Sequence, residues 1–125
     1  MKVIHLNSSL IEVANGVSFV DFSGAGNLVY LFPGTSHIHL LGSSELDYFA
    51  GGDLTFNDVT IYPGTASYST ILTGSNTFNN LTLSAGLSIE IDSSETPTVT
   101  TLFSAVATCN DSIFVSSSGA INSTT

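Results

Sequence analysis

The sequence predicts an all-β fold, and within that class a right-handed parallel β-helix, or β-solenoid, with irregular coil lengths. The first observation is a repeated phrase: FNDVTI at residues 56–61 recurs as FNNLTL at residues 78–83, 22 positions later. Self-similarity at a period of about 20–50 residues is typical of stacked repeat architectures. The second observation is that apolar and polar residues alternate within each copy, which is the period of a half-buried strand. The third is that charged residues make up only 9% of the chain and no stretch has a helical period, so long surface helices are not expected.

The repeated phrase also predicts which side chains face the core. Each copy is followed by a glycine three residues on, Gly64 or Gly86, and this predicts a corner after each strand. We expect the apolar positions to face inward and the threonines between them to face solvent: Val59, Ile61, Leu81 and Leu83 inward, Thr60 and Thr82 outward.

Looser copies of the pattern occur along the rest of the chain. The spacing apolar-x-apolar-x-x-Gly, in one copy with an extra residue, is found at residues 11–16, 29–34 and 113–119. The motif Pro-Gly-Thr occurs at residues 33–35 and 63–65, and a strand-like run follows each time, at residues 38–41 and 68–72. Because the steps between the corner glycines are 18, 30, 22 and 33 residues, the coils are expected to differ in length.

Three further segments alternate between apolar and polar residues. In residues 87–92 the alternation predicts that Leu87, Ile89 and Ile91 point inward, and residues 98–100 and 112–115 are predicted to be strands as well.

Cys109, the only cysteine, is predicted to be a small buried hydrophobic residue, and a disulfide partner outside these residues stays open.

The asparagines of the repeat are predicted to mark corners. Asn57, Asn79 and Asn80 are placed just ahead of strand starts, where asparagine tolerates turn conformations. They could also stack as a ladder along the axis of the coil, and both interpretations stay open. The alternative fold is a β-sandwich, but a sandwich has no reason to repeat one phrase at the length of a coil. Residues 1–125 are expected to form a single solenoid segment of a larger chain.

The charge balance excludes some classes of partner. The chain has no arginine, and Lys2 is its only lysine against ten carboxylates, for a net charge of −9. Binding to nucleic acid or to an anionic membrane surface requires clustered cations, so neither is expected. No segment is apolar for long enough to span a membrane, and residues 1–6 lack the pattern of a signal peptide.

Three short phrases resemble sequences of a known kind of protein. They are TPTVTTL at residues 96–102, ATCNDSI at residues 107–113 and FNNLTLSAG at residues 78–86. The chain resembles the large, secreted, repeat-rich surface proteins of Bacteroidetes that are similar to gliding adhesins, best over residues 54–120 and weakly over residues 1–50. The resemblance implies export to the cell surface and a parallel β-helix that acts as a spacer or adhesive stalk, with no catalytic residues. It also implies that Asp111-Ser112-Ile113 is a candidate O-glycosylation signal.

His37 and His39 form the one pattern that is typical of a metal ligand pair. On a strand they share a face, and with Ile38 and Leu40 turned inward both should face solvent. Zinc would need a third ligand, for which only Glu45 and Asp47 lie nearby in sequence. We predict exposed histidines, with no metal, cofactor or catalytic residue in the segment.

Polysaccharide cleavage, carbohydrate binding and ice binding each require particular residues. A polysaccharide lyase is not expected because the chain has no arginine. A hydrolase would need paired carboxylates. Asp53 and Asp58 are the candidates, but both are expected to cap corners. Carbohydrate binding stays open as the second choice because three tyrosines could stack on sugars: Tyr48, Tyr62 and Tyr68. An ice-binding surface would need rows of threonines, and only residues 98–100 have the pattern Thr-x-Thr.

The sequence therefore predicts a structural or adhesive segment of an extracellular, cell-surface protein, not an enzyme. Its expected partners are flanking repeats or identical copies that stack end to end, with surface glycans as a further class.

Overall fold

Every regular element in the described part of the chain is a β-strand. The computed structural model describes residues 2–14, 20–22, 29–42, 46–65 and 69–118. The strands are β1 (Lys2–His5), β2 (Leu10–Val13), β3 (Val20–Asp21), β4 (Val29–Phe32), β5 (His37–Leu40), β6 (Asp47–Ala50), β7 (Thr55–Ile61), β8 (Thr70–Thr73), β9 (Thr77–Leu83), β10 (Ser88–Ile91), β11 (Thr98–Ala105) and β12 (Phe114–Ser117). Gly16, Glu45, Tyr68 and Gly119, which the sequence patterns single out, lie outside the described residues.

The strands form two long sheets and one short pair. The front sheet has the order β2-β5-β7-β9-β11, the back sheet has the order β3-β6-β8-β10-β12, and β1 pairs with β4. All of these pairings are parallel. Neighbours in a sheet are never consecutive in the chain, so the chain passes from one sheet to the other and back as it winds. This confirms the predicted parallel β-helix with unequal coils. A β-sandwich of antiparallel strands is excluded.

The repeated phrase lies in adjacent strands and in register. Phe56 in β7 lies beside Phe78 in β9, and the pairs that follow are Val59 with Leu81 and Ile61 with Leu83. All six side chains are buried, which confirms the predicted inward positions of Val59, Ile61, Leu81 and Leu83 and adds Phe56 and Phe78 to the core. Leu87 and Ile89 are also buried and Ile91 is half-buried, so the alternation in residues 87–92 is confirmed.

Phenylalanines from successive coils stack inside the solenoid. The Phe56 and Phe78 rings lie 5.9 Å apart and stack, and Phe49 from the back sheet lies 5.0 Å from one and 5.6 Å from the other. All three side chains are completely buried. Aromatic pairs at these separations add to the stabilisation that burial alone gives, so this cluster anchors the middle of the core.

Asparagines form a ladder where β7 and β9 bend. Asn57 Nδ2 donates to the Ser36 carbonyl at 3.1 Å, and Asn79 Nδ2 donates to Asn57 Oδ1 at 3.1 Å. Thr100 continues the chain by donating its hydroxyl to Asn79 Oδ1 at 3.2 Å. The ladder interpretation is therefore correct. The predicted placement ahead of strand starts is wrong, because each strand begins two residues earlier, at Thr55 or Thr77, and bends without stopping.

A second polar corner is built around Asn76, whose side chain is fully buried. Its Nδ2 donates to the Thr73 carbonyl at 2.9 Å, and its Oδ1 accepts the backbone N–H of Asp53 at 3.2 Å. The amide lies against Gly51, where a Cβ atom would come within 2.7 Å of Nδ2 and closer still to Oδ1. Asp53 accepts the Ser75 N–H at 2.6 Å, which confirms its corner-capping role.

The last coil departs from the sequence-based expectations in two places. Strand β12 begins at Phe114, two residues after the predicted start. Cys109 is exposed, so its predicted burial is wrong. It lies in the loop between β11 and β12, where Thr108 N donates to the Asp111 carbonyl at 3.2 Å and closes a turn. Local alternation does not bury a residue whose segment leaves the stacked sheet.

Candidate binding face on the front sheet

The solvent side of the front sheet carries two parallel rows of side chains, which we call the outer face. The strand register places Leu10, His37, Asp58, Asn80 and Leu102 in the first row. The second row contains Glu12, His39, Thr60, Thr82 and Ser104. Successive members of a row belong to neighbouring strands, which are about 4.8 Å apart in a sheet. The outer face therefore brings together residues that are distant in sequence.

His37, Asp58 and Asn80 form a continuous polar chain in the first row. His37 Nδ1 lies 3.1 Å from Asp58 Oδ2. Asn80 Nδ2 donates a short hydrogen bond to the other carboxylate oxygen, Asp58 Oδ1. The side chains of His37 and Asp58 are 53% and 26% exposed, so the carboxylate is held from both sides and still reaches solvent. This arrangement fixes its orientation.

His39 makes a different pair in the second row. Its Nδ1 lies 3.7 Å from Glu12 Oε1, on the neighbouring strand β2. Its ring also meets the edge of the Tyr62 ring, with centroids 5.8 Å apart. The two histidines thus face solvent as predicted, but they turn toward carboxylates on opposite sides of β5.

This divergence bears on the metal-site hypothesis. Within the described ranges, no three histidine, cysteine, aspartate or glutamate side chains are placed to hold a metal ion. Asp47, one of the two ligands that lie nearby in sequence, is buried at the start of β6 in the back sheet. Among the described residues, which do not include Glu45, neither histidine has the third ligand that zinc would require.

The two candidate carboxylates for hydrolysis, Asp53 and Asp58, have different partners. Asp53 caps the corner before β7 by accepting the Ser75 N–H, whereas Asp58 lies on the outer face with His37 and Asn80. The expectation that Asp58 also caps a corner is wrong, because the strand continues through it. Asn80 is likewise a residue of the outer face and not of a corner. Sequence reasoning missed both roles because they depend on the register between strands.

A shallow depression of about 300 Å³ lies on the outer face. It is lined by residues of four adjacent strands: the outward-facing His37, Asp58, Thr60, Asn80, Thr82 and Leu102, together with Val59, whose side chain faces the core. Its floor is the sheet itself, so its shape is set by rigid elements and not by loops.

The tyrosines and threonines are distributed differently from the sequence-based expectation. Tyr48 lies on the back sheet and Tyr62 follows the end of β7 in the front sheet, so these two rings do not form one stacking platform. A threonine row does exist, because Thr55, Thr77 and Thr98 are adjacent in register. It runs across the coils and is therefore not visible as a pattern along the chain. It is three residues long within the described strands.

One carboxyl group is held in its ionised form by a turn. Asp92, in the turn after β10, has its pKa lowered from the usual 3.8 because it accepts hydrogen bonds from the backbone N–H of Ser94 and then from the Ser94 hydroxyl. It lies outside the outer face and stabilises a turn.

The described residues contain no helix that could cross a lipid bilayer. The chain matches no protein-family profile, no curated protein and no solved structure.

Proposed function

We propose that this chain is a structural segment of a secreted cell-surface protein, where it acts as a non-catalytic spacer or adhesive stalk. The observation that carries the proposal is that the apolar core continues to the last coil and ends exposed. Phe103 lies beside the buried Leu81, and Val115 lies beside the buried Ile89. Both are 54% exposed although they occupy core positions of the stack. A further coil placed against them would bury both.

The backbone at this end supports the same proposal. Among the described strands, β11 and β12 are the terminal members of the front and back sheets. Terminal strands present N–H and C=O groups that are ready to pair with another strand. In solenoids each coil is stabilised mainly by its neighbours, so an added coil gains both core contacts and a parallel hydrogen-bonded edge. The added coil belongs either to a flanking repeat or to a second copy of the chain.

The location outside the cell is supported by composition and by the sequence phrases. The surface is rich in hydroxyl groups and acidic, with a net charge of −9 and no arginine. Such a surface repels nucleic acid and anionic lipids. The phrases at residues 78–86 and 96–113 resemble those of secreted surface proteins of Bacteroidetes.

The absence of catalysis is part of the proposal and has its own support. The features that repeat along the chain are core positions, corner asparagines and turn glycines, all of which serve packing and turning. The carboxylates Asp53 and Asp58 engage different partners, so they do not supply the paired acid and base of a glycosidase.

The proposal is tested by measuring association as a function of concentration. Static light scattering of the intact chain should show an average mass that rises with concentration. The double variant Phe103→Asp with Val115→Asp should stay monomeric and keep its β-sheet circular dichroism spectrum, because both side chains are already exposed. The matched control is Leu102→Asp, since Leu102 is 55% exposed but belongs to the outer row, and it should associate like the parent chain. A parent chain that is a stable monomer at high concentration contradicts the proposal.

A further inference from the structure

The depression on the outer face has the chemistry of a sugar-binding site, a role that goes beyond that of a spacer. We infer that it binds one unit of a neutral polysaccharide or oligosaccharide, with Asp58 accepting and Asn80 donating hydrogen bonds to sugar hydroxyls. The inference depends on the side chains of β5, β7, β9 and β11 and not on the exposed end of the core.

The polar groups of the site are held in place before a ligand arrives. The Asp58 carboxylate is fixed by Asn80 Nδ2 on one oxygen and faces His37 Nδ1 at 3.1 Å on the other. A carboxylate has about four acceptor positions, so both oxygens can accept a further hydrogen bond. Asn80 retains its carbonyl oxygen and a second N–H, and His37 retains Nε2. The Asp58 carboxylate, an acceptor, therefore lies beside the Asn80 amide, which is both a donor and an acceptor. Because both groups are fixed on rigid strands, the entropic cost of binding is lowered.

The remaining lining matches the rest of a sugar ring. Thr60 and Thr82 contribute hydroxyl groups, and Leu102 contributes an apolar wall at the end of the first row. Leu102 is 55% exposed, so it offers a free apolar surface. Sugar rings carry hydroxyl groups at their edge and C–H groups on their faces, so a polar row that ends in an exposed leucine fits both. The volume of about 300 Å³ is at the lower limit for ligand pockets, which suits a single ring.

The charge of the site selects against other ligands. An anionic ligand would be opposed by Asp58, by Glu12 and by the net charge of −9, with no arginine to compensate. A metal ion lacks a third ligand among the described residues. A cationic peptide would compete with His37 for the one carboxylate in the depression and would leave the hydroxyl groups unused. An uncharged ligand rich in hydroxyl groups uses the whole lining.

The test is isothermal titration calorimetry of the intact chain with cellohexaose, maltohexaose and mannohexaose, and with hexagalacturonate and hexalysine as charged probes. At least one neutral sugar should bind, and hexagalacturonate should not. Asn80→Asp removes the donor and sets a second carboxylate against Asp58, and it should weaken binding at least about tenfold, or about 1.4 kcal/mol. Thr82→Val, which keeps the shape of the side chain, should weaken it by less.

The control variant is Glu90→Gln, which changes a half-buried carboxylate on the solvent side of the back sheet. It should leave the affinity unchanged, and circular dichroism should show that all variants keep their β-sheet content. The inference is overturned if no neutral sugar binds, if hexalysine alone binds, or if Asn80→Asp, while folded, binds as well as Glu90→Gln. The double variant Phe103→Asp with Val115→Asp should still bind sugar, so a failure of the spacer proposal and a failure of this one give different results.

Discussion

Replacing Gly51 by alanine should destabilise the solenoid through one neighbouring side chain, that of Asn76. The three atoms nearest to an added Cβ all belong to the Asn76 amide group, with Nδ2 at 2.7 Å and the other two closer. Asn76 is completely buried, so its amide has no solvent-filled space into which to move. The methyl group must therefore push the amide away from the Thr73 carbonyl and from the Asp53 N–H.

The expected magnitude follows from these contacts. Overpacking in a filled interior costs about 1–3 kcal/mol, and each of the two lost hydrogen bonds is worth about 0.5–1.5 kcal/mol. Gly51→Ala should therefore lower the free energy of unfolding by about 2–6 kcal/mol, a large share of the roughly 5–15 kcal/mol that is typical of a folded domain. Urea denaturation followed by circular dichroism measures this loss.

A double-mutant cycle separates this mechanism from a general effect on the backbone. Asn76→Ala alone should destabilise the chain because it removes the hydrogen bond to the Asp53 N–H and one of the two that the Thr73 carbonyl accepts, the other coming from the Gly51 N–H. Adding Gly51→Ala to that variant should lower the free energy of unfolding by about 1 kcal/mol at most, because the atoms that clash are gone. Alanine also restricts the unfolded chain more than glycine does, and this effect favours the folded state. The coupling energy should be about 1 kcal/mol or more. If the two effects instead add to within about 0.5 kcal/mol, the steric argument is wrong.

Three further outcomes test the core and the turns. Phe78→Ala should lower the free energy of unfolding by about 3–5 kcal/mol because it removes one fully buried ring of the aromatic cluster and leaves a cavity. Phe114→Ala, at a residue that is 65% exposed, should cost far less, and urea denaturation compares the two variants. Leu83→Asp should unfold the chain by burying an unpaired charge, and Thr82→Asp on the outer face should not, as judged by circular dichroism. Asp92→Asn should be less stable than the parent chain at pH 7. The difference should vanish as the pH falls below 3.8 through the lowered pKa of Asp92, because a depressed pKa adds stability only while the carboxylate is ionised. Urea midpoints measured at several pH values check this.

Side-chain alternation predicted the aliphatic positions of the repeated phrase in the core, but not the phenylalanines Phe49, Phe56 and Phe78. In a strand, alternate residues point to opposite faces whatever the length of the coil. The inward positions of the phrase, such as Val59 and Leu81, could therefore be assigned from the sequence, and they lie side by side in the structure. The corner ladder of Asn57 and Asn79 was accessible for the same reason, since equivalent residues of equal coils stack.

The outer face could not be predicted in the same way, because its pairs depend on the length of each corner. In one coil, a turn at residues 33–36 comes directly before β5. In the next coil Asn57, within β7, lies at the equivalent place, and its side chain donates a hydrogen bond to the Ser36 carbonyl. His37 is thereby aligned with Asp58. Alternation shows that both side chains point outward, but it does not show which residue of one coil meets which residue of the next.

Cys109 illustrates the opposite limit of pattern reasoning. Apolar alternation in its neighbourhood predicted a buried side chain, but the segment is a loop and the thiol is exposed. Val106, three residues before it, is 67% exposed. Burial in a solenoid requires a coil on each side, and local alternation carries no information about whether a segment stays within the stack.

The spacer role and the sugar-binding face are linked by the same geometry. Each outer row gains one residue for every coil that stacks on the front sheet, so a coil added beyond β11 would extend the first row past Leu102 and the second past Ser104. The depression around Asp58 and Asn80 would keep its lining, because those residues already have neighbours on both sides. Stacking would thus lengthen the surface available to a polysaccharide without changing the contacts of a single sugar ring. If both proposals hold, association should raise the affinity for long sugar chains and leave the affinity for a monosaccharide unchanged.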